Sequence, residues 1–244
     1  MRSSRLYVAD DLSAGAEILL DQTASHYLKH VLRLKTGAAV VLFNGMHSSD
    51  FHGRVELGPR KVAVHIEASS VVDMESPLLS EIIQGLGRSD HSDWTIQKTT
   101  ELGVNRISLF NAERSQKHLK ASQVEKKLAH WRGVAISACE QCGRALIPEI
   151  VFYPGLVPAM QAASAQARFL LDFKAVSLQS ELRATQASSL SILLGPEGGL
   201  NEKEINSAVT AGYRGVSLGP RVLRTETAAV SALAIAQSFS GDLK

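Results

Sequence analysis

At 244 residues, 45% of them hydrophobic, the chain has enough apolar material for a substantial core, in one large domain or in one medium and one small domain. No apolar run reaches the roughly eighteen residues of a membrane-spanning helix, and residues 1–10 lack the pattern of a secretory signal, so we expect a cytoplasmic protein. The net charge of +2 excludes a uniformly basic surface, and any electrostatic attraction for nucleic acid must therefore be local.

Residues 1–72 are predicted to form a small, mostly β domain with one helix. The helix begins at Asp21, after which apolar residues recur at helical spacing, and it ends at Gly37. Three strand-like runs follow it, at residues 40–43, 50–57 and 61–66. Glycine-containing turns separate these runs, and short strands joined by tight turns are typical of a small β-barrel.

Residues 73–244 are predicted to form a second domain, of α/β class, because strands and helices alternate there. Short apolar runs indicate strands near residues 78–84, 107–110, 169–171 and 190–194. Helical spacing of apolar residues indicates helices near residues 93–102, 122–143, 201–211 and 226–239. Capping boxes mark two of the helix starts, Ser122 with Glu125 and Asn201 with Glu204, and a polar linker is expected after residue 171. The alternation predicts a parallel sheet with helices on both faces.

Two glycine-bearing segments near the C-terminus each connect a predicted strand to a predicted helix, where α/β proteins bind ligands. They are Leu194-Gly195-Pro196-Glu197-Gly198-Gly199 and Leu218-Gly219-Pro220-Arg221-Val222-Leu223-Arg224-Thr225-Glu226-Thr227. Neither contains Gly-x-Gly-x-x-Gly or Gly-Lys-Ser/Thr, and Glu197 and Glu226 would repel a polyphosphate. A cofactor with a positive charge and an adenine fits better, because glycines let backbone groups approach a base edge closely.

Five sequence blocks, in order along the chain, resemble a single family. They are the two glycine-bearing segments together with residues 98–104, 113–115 and 138–144. On these blocks the whole chain resembles the 16S rRNA (uracil-N3)-methyltransferases, the RsmE-type branch of the SPOUT superfamily. The resemblance implies that S-adenosylmethionine (SAM) is held in a C-terminal trefoil knot of the α/β domain. It further implies a PUA-like, RNA-binding N-terminal β-barrel domain and a homodimer.

The resemblance also implies the reaction, which is methylation of N3 of a uridine, position 1498, in the 16S rRNA of the small ribosomal subunit, with neither DNA nor a membrane as partner. Such a site must remove the imide proton and stabilise negative charge on O2 and O4. Arg224 and Glu226 are the first catalytic candidates, and Glu197 is the next carboxylate; a structural ion pair between the two loops is the alternative. Cofactor contacts are expected from Leu194, Gly195, Pro196, Gly199, Leu218, Gly219, Arg221, Val222, Leu223 and Thr225.

Cationic residues in polar segments are expected to contact RNA. Three arginines flank the ends of predicted elements in the C-terminal part, namely Arg88, Arg114 and Arg144. The N-terminal domain adds a basic and partly aromatic set that includes Arg2, Arg5, His26 and Arg33. In the family, the segment that begins at Arg88 commonly reads Arg-x-Asp-Lys. Here His91 follows Asp90 in place of the lysine, which weakens the expected phosphate contact at that position.

No metal site is expected, because the pair His26 and His30 has no third ligand in the sequence. Cys139 and Cys142 lie at a helix end, where the helix dipole disfavours a thiolate, so both are expected to be unreactive thiols. Two other functions remain open, a SPOUT methyltransferase acting on another rRNA or tRNA base and a non-catalytic RNA-binding factor. The intact glycine loops argue against the second, since such a factor needs no cofactor pocket, and SAM binding discriminates between the two.

Overall fold

The N-terminal sheet has five strands in the order β1-β3-β4-β5-β2. The structure, a computed structural model, describes residues 4–243, apart from the side chains of Ser89 and Phe173. The strands are β1 (Ser4–Tyr7), β2 (Glu17–Leu19), β3 (Ala39–Phe43), β4 (Ser49–Leu57) and β5 (Val62–Val71). Phe51, Gly53 and Val55 of β4 are buried and alternate with exposed polar residues, so one face of the sheet covers a core. Leu42, Val64 and Ile66 lie in that core.

The N-terminal helix begins as predicted but ends early. Asp21 Oδ1 accepts a hydrogen bond from the Ala24 amide at 2.7 Å, which starts α1 (Gln22–His26). The chain then widens into a π-helix over Tyr27–Val31 and leaves the helical path at Leu32 and Arg33, whose φ of 52° is left-handed. The predicted end at Gly37 is therefore wrong, because the apolar spacing continues beyond the last helical turn and Gly37 belongs to the turn before β3.

The C-terminal sheet has six parallel strands in the order β11-β9-β10-β6-β7-β8. The strands are β6 (Leu79–Gly85), β7 (Arg106–Phe110), β8 (Glu149–Tyr153), β9 (Ala167–Ser177), β10 (Ser189–Leu194) and β11 (Arg214–Ser217). The helices are α2 (Ser89–Glu101), α3 (Ala121–Cys142), α4 (Leu156–Gln161), α5 (Leu178–Thr185), α6 (Glu202–Thr210) and α7 (Thr225–Ser240). The predicted α/β class with a parallel sheet is confirmed.

Local signals predict some of these boundaries and miss others. The Asn201 capping box is confirmed, since its side chain and that of Glu204 each accept the other residue's backbone N–H. The predicted capping box at Ser122 is wrong, because α3 already begins at Ala121 and Ser122 therefore lies inside the first turn instead of at the N-cap. The predicted linker after residue 171 is instead the second half of β9 followed by α5.

Helices cover both faces of the C-terminal sheet. Ile83 of β6 and Leu193 of β10 pack with α4 and α6 through Ala159, Met160 and Ala208. The neighbouring residues Ile82 and Ile192, which point to the opposite face, are fully buried on the other side, where α7 contacts both β10 and α2. Both faces being covered explains why these strands are continuously apolar.

The chain folds into two compact units. One contains the chain up to Glu75 together with Cys139–Ile147, and the other contains Ser76–Ala138 and the chain from Pro148 onwards. The trefoil knot that the resemblance implies stays a prediction. Within residues 4–243, no helix combines the length and the hydrophobicity that a membrane crossing requires.

Candidate active site

Three loops lie along the edge of the C-terminal sheet that is formed by the carboxyl ends of its strands. They are the β6 segment (residues 86–88), loop 1 after β10 (residues 195–199) and loop 2 after β11 (residues 218–224). Because β10 pairs directly with β6, loop 1 and the β6 segment are neighbours, whereas loop 2 follows the edge strand beyond β9. Open α/β sheets bind their ligands at this edge.

Loop 1 is packed so tightly at Gly195 that a side chain is excluded from that position. A Cβ atom on Gly195 would lie 2.8 Å from the Gly199 carbonyl carbon and 2.8 Å from the Leu200 nitrogen. A Cβ atom on Gly85, at the end of β6, would lie 2.6 Å from Cδ of Pro196. Gly199 has a left-handed φ of 70° and donates its N–H to the Pro196 carbonyl at 2.8 Å. At Gly195 and Gly199, loop 1 therefore presents backbone rather than side chains along the edge.

A histidine and two carboxylates meet next to loop 1. Glu197 Oε1 accepts a hydrogen bond from the Arg88 amide at 3.0 Å and lies 2.8 Å from His91 Nδ1. His91 Nδ1 is also 3.6 Å from Oε2 of Glu226, in the first turn of α7. The Glu226 side chain is 12% exposed, and its Oε2 is buried without a hydrogen-bond partner among the described residues. Glu197 and Glu226, predicted separately, are thus joined through His91.

Glu197 sits directly above the β6 segment. A Cβ atom on Gly87 would approach the Glu197 carboxylate oxygens to 2.7 and 2.8 Å, so any larger residue at position 87 would displace them. Partial burial alone would raise the pKa of Glu197, but the amide hydrogen bonds from Arg88 and from Glu197 itself, with the contact to His91, outweigh it and lower that pKa. The carboxylate is therefore held in its charged form.

The lowered pKa predicts how Glu197→Gln changes stability with pH. A depressed folded-state pKa stabilises the fold above the ordinary glutamate value of 4.5, and this contribution is lost as the pH falls through the lowered folded value. We expect Glu197→Gln to lower the Tm at neutral pH, and we expect this difference to shrink as the pH falls from 4.5 through the lowered folded-state pKa. Thermal unfolding of both proteins across this range measures the difference, and a Tm gap of equal size at both ends would contradict the prediction.

Loop 2 places the main catalytic candidate at the start of α7. Arg224 is the N-cap residue, with an extended backbone and an exposed side chain that makes no capping hydrogen bond. Thr225 and Glu226, which follow it, are buried. Of the other predicted cofactor residues in this loop, Arg221 and Val222 are exposed, whereas Leu218, Gly219 and Leu223 are partly buried.

Arg114, predicted to contact RNA, lies against loop 1. Its guanidinium Nη1 is 3.4 Å from the Leu200 carbonyl oxygen and 3.5 Å from that of Gly198. A Cβ atom on Gly198 would lie 2.9 Å from the Arg114 carbonyl oxygen. The Glu204 carboxylate, which caps α6, also accepts the Glu113 amide at 3.0 Å. Through these contacts Arg114 helps to fix the position of loop 1.

Two of the predicted RNA-binding arginines lie largely inside the N-terminal unit: Arg144 is buried and Arg5 is nearly so. Arg144 is 4% exposed and binds both oxygens of Glu75, at 3.1 and 2.6 Å. Arg5 is 10% exposed, pairs with Asp50 at 2.6 Å and donates to the carbonyl oxygens of Cys139 and Arg144. Their burial gives both side chains a structural role in place of the expected RNA contact.

We expect Arg144→Ala to lower the stability by about 3 kcal/mol, because the variant leaves the Glu75 carboxylate without its partner. Arg33→Ala is the matched control, since Arg33 is exposed and its removal should change stability by no more than about 0.5 kcal/mol. Denaturant unfolding monitored by circular dichroism measures both. Equal stability of the two variants would contradict the structural role of Arg144.

The other predicted RNA-binding residues of the N-terminal unit lie on its surface. His26 and Arg33 are exposed, and the His26 and His30 rings are 4.7 Å apart. Arg2 lies outside the described residues. Cys139 is buried, and its desolvation raises the pKa of the thiol to about 12, in agreement with the predicted lack of reactivity. Among residues 4–243, no group of three His, Cys, Asp or Glu side chains is arranged to hold a metal ion.

Sequence reasoning missed a cleft of about 770 Å³ that opens beside Gly87 and Arg88. Its walls come from the β6 segment, the start of α2, residues 116–119 and one face of α3. Of its charged lining residues, Arg88 alone belongs to the predicted RNA contacts. Lys117, Lys126 and Lys127 also line the cleft, but each reads as a solvated surface lysine until the fold places them around one cavity.

Family models match both parts of the chain. An RNA methyltransferase domain matches residues 74–237, and an RNA methyltransferase PUA domain matches residues 20–66. The ribosomal RNA small subunit methyltransferase E of Buchnera aphidicola is 32% identical over 99% of this chain and 98% of its own length. The protein of the same name from Bacillus subtilis is 31% identical over 85% of this chain and 84% of its own length.

Solved structures agree over the full length. A methyltransferase from Legionella pneumophila, solved with bound SAM, superposes with a TM-score of 0.93 at 32% identity, covering 100% of both chains. A ribosomal RNA small subunit methyltransferase E from Neisseria gonorrhoeae, also bound to SAM, gives a TM-score of 0.90 at 32% identity, again covering 100% of both chains.

Proposed function

The chain belongs to the family of ribosomal RNA small subunit methyltransferase E, and on that premise we propose that it uses SAM to methylate N3 of a uridine in 16S rRNA. The observation that carries this proposal is the meeting of Glu197, His91 and Glu226 beside a glycine loop at the ligand-binding edge of the sheet. A polar cluster at such an edge is suited to moving a proton on a bound base.

The residues of loops 1 and 2 fit SAM in two respects. Gly195 and Gly199 leave loop 1 without side chains at two positions, and Gly199 has open space where a Cβ atom would lie, so we propose that this backbone forms the cofactor cradle that an adenine approaches. The buried Glu226 oxygen, which has no hydrogen-bond partner within residues 4–243, provides negative charge near a cationic ligand. When bound, SAM supplies an electrophilic methyl group on a positively charged sulfonium. We assign the binding to Leu194, Gly195, Pro196 and Gly199 of the first segment and to Leu218, Gly219, Arg221, Val222, Leu223 and Thr225 of the second.

The chain's own residues have three tasks in this reaction. Arg224, whose exposed guanidinium leaves the start of α7, donates hydrogen bonds to uridine O2 or O4 and stabilises the imide anion. Glu226 accepts the N3 proton, because its Oε2 is buried and receives no hydrogen bond from the described residues, with His91 Nδ1 3.6 Å away. Glu197 is the weaker base, since its pKa is lowered, and it holds His91 and the Arg88 amide in place.

The remaining parts of the proposal rest on the family resemblance. We assign residues 1–72 to RNA recognition and residues 73–244 to cofactor binding and chemistry. Arg88, His26 and Arg33, which are exposed, remain proposed RNA contacts. The enzyme is proposed to act in the cytoplasm, as a homodimer with a knotted C-terminal domain, on the RNA of the small ribosomal subunit.

The test is methyl transfer from labelled SAM to unmodified small subunits, large subunits and transfer RNA in parallel, followed by nucleoside mass spectrometry. A peak of 3-methyluridine from small subunits alone is the expected result. Label in transfer RNA or on another base would overturn the assigned substrate while leaving SAM chemistry intact. Protein that binds SAM and labels no RNA would overturn the proposed function.

A further inference from the structure

The cleft beside Gly87 and Arg88 has the composition of an anion site. It is lined by four fixed cations, namely Arg88, Lys117, Lys126 and Lys127. Among its described lining residues, Asp93 is the single carboxylate, and His130 Nε2 lies 2.8 Å from its Oδ2. The cleft therefore has a clear excess of positive charge, although the whole chain is nearly neutral with a net charge of +2. Charge concentrated in a concave surface is what attracts a phosphate backbone.

Two helix starts add to this field. Arg88 is the N-cap residue of the 13-residue α2, and Ser92 and Asp93 of its first turns line the cleft. Ser122 and Gln123, in the first turn of the 22-residue α3, line it from the other side. The amino end of a helix carries partial positive charge and unpaired N–H groups, so both helices favour an anion at this position.

Three lining residues, Trp131, Ser92 and Asp93, form the floor of the cleft, and each carries a buried side-chain atom that finds no hydrogen-bond partner within residues 4–243. One is the acceptor Asp93 Oδ1, and the other two can donate a hydrogen bond. These two are Nε1 of Trp131, a residue that is 2% exposed, and Oγ of Ser92, which is 1% exposed. Lys127 Nζ lies 5.4 Å from the centre of the Trp131 ring. Buried donors without partners are rare in folded proteins, and a ligand group in the cleft would supply the partners that they lack.

The position of the cleft relates it to the site already described. Gly87 lines the cleft and also lies beneath the Glu197 carboxylate. In the sheet, the cleft lies on the β6 and β7 side of loop 1, whereas loop 2 lies on the β9 and β11 side. Loop 2 and the cleft therefore lie on opposite sides of loop 1, which supplies Glu197 to the histidine–carboxylate cluster. A volume of about 770 Å³ is within the range of nucleotide-sized ligand pockets.

We propose that this cleft binds a short single-stranded segment of the RNA substrate, with phosphates on Lys117, Lys126 and Arg88 and a base or ribose group on the buried polar floor. The inference rests on the proposed function, and it locates the RNA strand within the methyltransferase domain itself. Single-stranded RNA suits such a site, because its bases can be splayed out and its phosphates followed by lysines.

The first test compares a Lys117→Ala/Lys126→Ala variant with a control of equal charge change, Lys174→Ala/Lys203→Ala, whose exposed lysines lie outside the cleft. Binding of a fluorescein-labelled oligouridylate is measured by anisotropy over a range of salt concentrations. The cleft variant is expected to bind at least about tenfold more weakly, and the slope of log K against log salt should fall by about 1.4 for two lost phosphate contacts on a single strand. Affinity and slope equal to those of the control would overturn the proposal.

Steady-state methylation of small subunits gives an independent readout. The cleft variant should raise the KM for subunits while leaving kcat and the SAM dissociation constant near their original values. If no RNA is methylated by the unmodified enzyme, the proposed function fails, but the oligouridylate measurement still decides the cleft. A change of oligomeric state by light scattering, with unchanged oligouridylate affinity, would identify the cleft as an interface between two copies of the chain and overturn RNA binding there.

Tryptophan fluorescence places the ligand in the cleft. The chain has two tryptophans, Trp94 and Trp131, and Trp94 is 43% exposed on α2. In a Trp94→Phe variant, emission reports on Trp131 alone. Saturable quenching by oligouridylate, lost in the lysine variant, is expected, and unchanged emission at saturating RNA would contradict binding on the cleft floor.

Discussion

Arg224→Ala is expected to reduce kcat for methyl transfer by about a hundred- to a thousandfold, because it removes the donor that stabilises negative charge on the target base. The fold should persist, since the Arg224 side chain is exposed and does not cap α7, whereas the backbone carbonyl that accepts the Ala228 amide at 2.8 Å is retained. The SAM dissociation constant should change by less than about threefold. Single-turnover kinetics with small subunits and calorimetric titration with SAM measure the two quantities.

Arg224→Lys and Lys203→Ala complete the Arg224 experiment. Lysine keeps the charge but loses the planar pair of donors, so Arg224→Lys should recover only part of the lost rate. Lys203 is exposed on α6, and its removal should leave the rate unchanged. A near-normal kcat for Arg224→Ala would show that Arg224 is not catalytic. A parallel loss of SAM affinity would assign it to cofactor binding.

Gly195→Ala is expected to weaken SAM binding by more than about tenfold. Its new methyl group would lie 2.8 Å from backbone atoms of Gly199 and Leu200, and these atoms have no flexible side chain that moves aside, so loop 1 must open. Calorimetric titration measures the affinity, and thermal unfolding should show a lower Tm.

Gly133→Ala is the matched control for this change. Gly133 lies within α3, and apart from its chain neighbours and the backbone of its own helical turns, no atom of the described residues would come within 4 Å of an added Cβ atom there. Alanine in a helix interior is favoured over glycine by up to about 1 kcal/mol, so the control should raise the Tm slightly and leave SAM affinity unchanged. Normal SAM affinity in Gly195→Ala would show that loop 1 does not form the cofactor cradle.

The parts of the fold that follow from local chemistry can be predicted from sequence. The Asn201 and Glu204 pair caps α6 because both partners are only three residues apart. The second half of β9 escapes prediction, because its pairing to β11 includes a register shift and depends on a strand nearly forty residues later in the chain. The helix after Asp21 is predicted too long, since a π-helical turn has no signature in apolar spacing.

The residues of the candidate site show the same difference between local features, which the sequence predicts, and long-range contacts, which it does not. Glycine loops and their carboxylates are visible in the sequence because loop chemistry is local. From the sequence alone, Arg144 is predicted to be a surface cation. Its burial becomes visible only in the fold, which brings it to Glu75, a residue far from it along the chain. His91 reads as a weaker phosphate contact, whereas the fold turns its ring towards Glu197 and Glu226. Lysines of the cleft come from separate segments and become a group only in three dimensions.

The packing of Gly85 and Gly87 against loop 1 separates the parts of this enzyme that tolerate redesign from those that do not. A Cβ atom on Gly85 would lie 2.6 Å from Cδ and 2.9 Å from the backbone nitrogen of Pro196, so a saturation library should recover glycine alone at position 85. At position 87 a Cβ atom would meet the end of the flexible Glu197 side chain, so larger residues should fold there but lose the Glu197 contacts. The exposed cleft residues Lys117 and Lys126 carry no such restriction. Directed evolution towards a different RNA target should therefore fix the β6 segment and loop 1 and randomise the cleft walls.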